Sequence, residues 1–159
     1  MKDDLRYTPS DVFETFPFPR GWESSPALEA AGRAYYEHRA ALMVANNQGL
    51  TATYNRFHNR NEDDAGIVRL RELHDAMDRA VLDAYGWKDL HPRCDYYLDY
   101  EEEEDAQPSK KKAPLRYRWP DDTRDDVLAR LLALNAERAA EERREAPPPP
   151  KKPRGPTLF

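Results

Sequence analysis

Two apolar seams constrain this chain more than anything else in it. Leu28, Ala31, Tyr35, His38, Leu42 and Ala45 follow one another at alternating spacings of three and four, and so do Ile67, Leu70, His74, Met77, Val81 and Ala84. In an α-helix this spacing gathers side chains onto one narrow stripe, which leaves water only by meeting a second stripe. Ser25-Pro26 offers a cap and a first-position proline for the first helix, which then runs to Gln48, with Gly49 as its stop; Gly86 ends the second. Arg71 with Asp75, and Asp75 with Arg79, are spaced as i,i+4 ion pairs on the wet side of that second helix. Between the helices, Thr51 to His58 reads as a short helix or an ordered turn and Asn59 to Gly66 as a polar loop. Helices joined through so compact a connection are expected to pack antiparallel.

The flanks carry different patterns. Tyr96, Leu98 and Tyr100 alternate with polar residues, as do Leu115, Tyr117 and Trp119, which predicts two short strands that pair as a hairpin. The acidic and lysine-rich stretch between them, residues 101–114, has no apolar content for a core and is expected to be mobile. Thr123 and Asp126 have the spacing of a capping box, so a third helix should start there, apolar through Val127, Leu128, Leu131, Leu132 and Leu134 and charged all round from Glu137 to Glu145. The expected fold is mainly α: an extended arm over 1–25, a helical hairpin over 26–90, a small β-hairpin region over 91–120, a C-terminal helix over 121–146 and a disordered tail over 147–159. No internal repeat is present.

Phe13-Glu-Thr-Phe-Pro-Phe-Pro19 gives the arm its character. Each proline drives the residue before it, Phe16 and Phe18, out of helical geometry, so the rings sit on a stiff leader that cannot bury them in itself. Together with Trp22 they need a surface to dock on.

Composition narrows the choices. Charged residues make up 35% of the 159 and the mean hydropathy is −1.01, so apolar material is confined to a few segments. A net charge of −5 argues against a general phosphate-tracking surface. Cys94 is the only cysteine, which excludes an internal disulfide or a cysteine-based metal framework and suits a reducing cytoplasm. Neither a membrane span nor a secretion signal is legible, and the chain reads as cytoplasmic.

Little points to chemistry. The six glycines are scattered singly, so no phosphate-cradling turn exists and no cofactor is expected in this chain. The four histidines, His38, His58, His74 and His91, lack close ligand spacing, so no metal site is expected, and one would have to be assembled across helices. His38 and His74 could meet as an acid–base pair, but hydrogen bonding of each across the helix interface is favoured. The carboxylates from Glu101 to Asp105 read as a solvated run. Only Tyr54-Asn55-Arg56-Phe57-His58-Asn59-Arg60 interleaves aromatic, amide and basic side chains as nucleic-acid contacts do, with Tyr54, Asn55, Arg56, His58 and Arg60 as the candidates. The alternative is that Tyr54 and Phe57 anchor the turn while Arg56 and Arg60 face water, and that arrangement is favoured.

Several stretches share a further likeness. Leu5-Arg-Tyr-Thr-Pro-Ser-Asp-Val-Phe-Glu-Thr-Phe-Pro-Phe-Pro19, Leu50-Thr-Ala-Thr-Tyr-Asn-Arg-Phe-His58, Leu70-Arg-Glu-Leu-His74 with Met77-Asp-Arg-Ala-Val-Leu-Asp-Ala-Tyr-Gly-Trp87, and Arg116-Tyr-Arg-Trp-Pro120 with Val127 to Arg138 occur in this order. Together they resemble the C-terminal end of large single-chain bacterial DNA methyltransferases of the restriction-modification type, including MmeI-like (type IIG and IIL) enzymes and phage-defence methylases. In such enzymes the upstream part carries the S-adenosylmethionine fold, the Asn/Asp-Pro-Pro-Tyr/Phe motif that holds a flipped adenine, and a target-recognition region. Neither the motif nor that fold is found here, and Pro17-Phe-Pro19 offers no amide or carboxylate to replace it. The resemblance therefore implies a non-catalytic helical end that braces the recognition domain. Phe13, Phe16, Phe18 and Trp22 would be its docking strap, the upstream methylase polypeptide its partner, and DNA is reached only through that assembly. Two other readings stand beside it: an independent helical adaptor for an unrelated protein, and an enzyme built on His38 and His74 with both rings facing a pocket between the helices.

Overall fold

The computed structural model describes residues 8–99 and 114–145. The charged stretch 101–113, Tyr100 and the tail 147–159 lie outside them. Helices dominate: α1 (Pro9–Thr15), α2 (Pro26–Ala45), α3 (Leu50–Phe57), α4 (Ala65–Tyr85) and α5 (Asp121–Glu145), with a two-stranded sheet of β1 (Asp95–Leu98) and β2 (Leu115–Arg118). The mainly helical fold with a small antiparallel hairpin is the one the sequence predicts.

The chain divides into two compact units, one from Phe18 to Val127 and one formed by residues up to Pro17 and from Leu128 onward. In the first, α2 and α4 run antiparallel. His38 reaches Gly66 and Tyr35 meets His74 edge-on, so residue numbers rise on one helix as they fall on the other. The helices approach closely at Gly66: a Cβ there would come within 2.5 Å of Leu42 Cδ1, so the Leu42 side chain would have to move. The core is small: Tyr35, Phe57 and Leu70 are buried together, with Leu42, Tyr54, Leu73, Met77 and Tyr117 packed around them. Ile67 and Leu82 are also sealed from solvent, whereas Val81 is exposed. The second seam thus drifts by one residue at its end, because Leu82 rather than Val81 faces inward.

Caps explain most boundaries. The Ser25 hydroxyl accepts the Leu28 amide at 3.4 Å, as Ser25-Pro26 predicts. Asp64 Oδ1 accepts the amides of Gly66 and Ile67 and starts α4, and Gly86 closes it at φ +77°, a conformation that glycine takes without steric penalty. Gly49 is not the stop of α2. The helix ends at Ala45 and the chain turns through Asn47 at φ +50°, leaving Gly49 as the extended residue that precedes α3.

Three further expectations are corrected. The leader is not extended throughout: Pro9–Thr15 form α1, since Thr8 is extended and Pro9 takes the first helical position, where its missing N–H is no loss. Phe13 therefore lies in a helix, and only from Phe16 does the chain extend (ψ 126°), driven by Pro17. Thr123 is no cap, because α5 already begins at Asp121, and the Arg124 amide donates to the Pro120 carbonyl at 3.0 Å. The leucines of α5 do not form a buried face, for none of its residues is buried.

Arg71 departs furthest from expectation. Instead of pairing with Asp75 in solvent, its guanidinium donates to four main-chain carbonyls, those of Phe57 (3.0 Å), Glu62 (2.9 Å), Arg56 (3.2 Å) and Asn59 (2.9 Å). Arg56 and Phe57 are at the C-terminal end of α3, where carbonyls lack intrahelical partners and the helix dipole is negative, so a cation there caps the helix.

The sheet pairs Asp95 with Arg118, Tyr96 with Tyr117, Tyr97 with Arg116 and Leu98 with Leu115. It is held to the helices from outside: the Tyr117 amide donates to His58 Nδ1 at 3.2 Å, and Arg118 binds Asp121 at 2.8 Å. Among the described residues no helix is long and apolar enough to cross a membrane.

Candidate functional site

Three places collect the side chains singled out above. The first is α3 with the loop after it. Tyr54 shares a 2.7 Å hydrogen bond with the Tyr35 hydroxyl and accepts from Arg39 Nη1 at 3.3 Å. Arg56 is drawn inward: Nε donates to Glu62 Oε2 at 2.9 Å, Nη1 to Gln48 at 3.3 Å, and Nη2 lies 3.6 Å from Asp64. Its partner Glu62 is held below the usual carboxylate range by that same hydrogen bond. Phe57 is buried, with ring contacts to Tyr54, His58, His74 and Tyr117. Of the five candidates for DNA contact, Tyr54, Arg56 and His58 are thus engaged within the body, and Asn55 and Arg60 are exposed.

Burial, followed by the nearby Arg116 guanidinium, lowers the pKa of His58 below that of an ordinary imidazole. This agrees with Nδ1 accepting the Tyr117 amide, which a protonated ring could not do. A group with a depressed folded-state pKa that is neutral when folded contributes stability above the unfolded value, and that stability is lost as pH falls through the folded value. Acidification from about pH 7.5 to about pH 5, across the ordinary histidine range, should therefore destabilise the native chain more than His58→Gln. Denaturant unfolding at both pH values, with NMR titration of the ring, measures this. Equal losses, or a ring titrating at or above the ordinary value, would contradict the assignment.

The second place is the leader. Phe13, Phe16 and Trp22 are 62%, 40% and 39% exposed. Phe18 is half-buried and stacks on Trp22 with ring centroids 4.8 Å apart.

The third place has no counterpart in the expectations beyond His74. His74, Asp75 and Asp78 from α4 converge with Cys94, and their potential ligand atoms all lie within 4.8 Å of one another. Trp119 Nε1 donates to Asp78 Oδ2 at 2.7 Å, and the Tyr117 hydroxyl donates to Asp75 at 3.1 Å. His74 Nδ1 lies 3.3 Å from Asp78 Oδ2 but out of hydrogen-bond alignment, and it has no other partner although it is sealed from solvent. Burial lowers the His74 pKa, but Asp78 and then Asp75 outweigh burial and the net shift is upward. Burial pushes the Cys94 thiol up, and both carboxylates add to the effect. A cavity of about 280 Å³ opens beside the cluster, lined by His74, Asp78, Cys94, Trp119 and Arg124 among others.

His38 does not share this cluster; its Nε2 pairs with the Gly66 carbonyl at 2.8 Å across the helix interface. The two histidines therefore have different partners, and only His38 makes the cross-interface bond expected of both. The i,i+4 spacing of His74 and Asp78 was a sequence signal for this place. Nothing in sequence spacing brings Cys94 and Trp119 to it. No protein-family model matches the chain, and no curated protein or solved structure matches it either.

Proposed function

We propose that the chain is a non-catalytic helical module of a cytoplasmic DNA adenine methyltransferase of the restriction-modification type, which docks onto the methylase and recognition polypeptide and braces it. The observation that carries the docking is the exposure of Phe13, Phe16 and Trp22 in a chain with 35% charged residues. Aromatic rings displayed in this way are the usual anchors of a protein interface. The nature of the partner rests on the four ordered stretches that resemble the end of such enzymes; S-adenosylmethionine would bind the partner. Contact with DNA is subordinate in this reading. Arg56 is held by Glu62 and Asp64, which leaves the exposed Asn55 and Arg60 as the candidate side chains able to reach a phosphate.

Co-expression with a methylase–recognition polypeptide of this type should yield a complex. Replacing Phe13, Phe16 and Trp22 together by serine should weaken that complex at least about thirtyfold, the scale of a lost interface hot spot, with helix content by circular dichroism unchanged. Absence of any complex would reject the methylase reading; an unaltered affinity would move the interface elsewhere. Binding of a different protein through the same rings, with none to a methylase, would make the chain an independent adaptor. In the assembled enzyme, Arg60→Ala reports on DNA: an unchanged salt slope leaves bracing as the sole role.

A further inference from the structure

We propose that His74, Asp75, Asp78 and Cys94 form a binding site for a zinc ion. The site does not depend on the docking role above and stands on four observations.

First, the donor set is mixed. One imidazole nitrogen, one sulfur and two carboxylates come together within 4.8 Å. Zinc accepts nitrogen, sulfur and oxygen in a tetrahedral shell, whereas magnesium and calcium take oxygen alone. Bonds of about 2.0–2.3 Å place tetrahedral ligands about 3.3–3.8 Å apart, so the widest pair must close by roughly 1 Å on binding. Cys94 lies in the connection that enters β1, outside helix and strand, and can make that movement.

Second, His74 Nδ1 is sealed from solvent, faces Asp78 and lacks a hydrogen bond. A buried ring nitrogen without an aligned partner has bonding capacity left over, and a cation held between it and the Asp78 carboxylate would use that capacity. Third, both carboxylates are held from outside, Asp78 by Trp119 Nε1 and Asp75 by the Tyr117 hydroxyl. Outer donors of this kind orient ligating carboxylates and leave lone pairs for the metal. Fourth, the adjoining cavity gives an ion access to the cluster. The sulfur must bind as thiolate, and burial with two neighbouring carboxylates disfavours thiolate in the metal-free chain. Binding therefore releases the Cys94 proton to solvent and weakens on acidification.

The test uses the full chain, freed of metal with a chelator, and cobalt(II) followed by zinc as probes. One cobalt per chain should bind with a near-ultraviolet thiolate-to-cobalt band and the strong visible absorption of a tetrahedral ion, and zinc should displace it. Cys94→Ala should abolish the thiolate band, and Trp119→Phe should weaken zinc binding about 10–100-fold. Because substitutions in a half-buried cluster can impair folding, each variant is checked by circular dichroism, and the wild type supplies a separate measurement: zinc should raise its Tm, and chelator should reverse the rise. A wild-type chain that gives no thiolate band, or a folded Cys94→Ala that keeps wild-type zinc affinity, overturns the proposal. The first result would leave the cluster as a His74–Asp78 ion pair, and the second would place zinc on exposed groups such as His91.

Discussion

Phe57→Ala should destabilise the helical body by about 3–5 kcal/mol, the range for emptying a buried aromatic site. The ring is 2% exposed and meets the rings of Tyr54, His58, His74 and Tyr117, so it joins α3, α4 and β2. Removing it leaves a void whose walls are themselves hydrogen-bonded: Tyr54 to Tyr35, His58 to the Tyr117 amide and Tyr117 to Asp75. Walls fixed in this way cannot collapse inward without breaking polar bonds, which places the expected loss toward the upper end. For a domain whose whole stability is of order 5–15 kcal/mol, that is a large share of the folding free energy. Denaturant unfolding followed by circular dichroism measures it, with Leu132→Ala as control. Leu132 is 71% exposed, and its truncation should stay within about 0.5 kcal/mol. A Phe57→Ala loss below about 1 kcal/mol would mean that the walls do relax and that the core is looser than its contacts imply.

The second large effect is expected at Arg71. Arg71→Met keeps the stem of the side chain and deletes the fork that holds the carbonyls of Arg56, Phe57, Asn59 and Glu62. Hydrogen bonds from a charged donor contribute about 1.5–3 kcal/mol, and the half-buried setting suggests a loss of about 2–3 kcal/mol. Arg71→Lys should recover only part of it, since one ammonium cannot span four acceptors in a plane. The guanidinium also lies over the rings of Tyr96 and Tyr117, at 5.6 and 5.7 Å, so its loss should loosen β1 as well as the turn. Hydrogen exchange of the amides from His58 to Asp64 distinguishes the mechanism: they should lose protection in Arg71→Met ahead of α2 and α4. Protection unchanged there, with global stability intact, would show that the connection holds itself.

These two residues also show what sequence could and could not convey. Helices α2 and α4 were legible because their seams repeat within one element, and spacing alone carries that information. The cap at Ser25 and the glycine stop at Gly86 are equally local. Arg71 was misread because its position on the polar side of α4 suggested Asp75 as its partner, while the acceptors it finds are main-chain carbonyls, which leave no mark in a sequence. The same holds for the zinc-ligand cluster. His74 and Asp78 could have been paired from their spacing, but Cys94, Tyr117 and Trp119 arrive through the sheet, and nothing local to them announces it. The helix at Pro9–Thr15 was missed for a different reason. Pro17 and Pro19 led the whole leader to be read as extended, whereas Pro9 sits where a helix begins and tolerates it.

The way the hairpin is pinned has a design consequence. Strand alignment in most hairpins is dictated by the turn, so turn length cannot change without slipping the pairing. Here β2 is also held from beyond the strands, by His58 at Tyr117 and by Asp121 at Arg118. Because Tyr96 reaches the Asn59 carbonyl and Tyr117 reaches His58, each strand has its own hold on the helices, and the pairing between the strands can be redesigned without setting either one adrift.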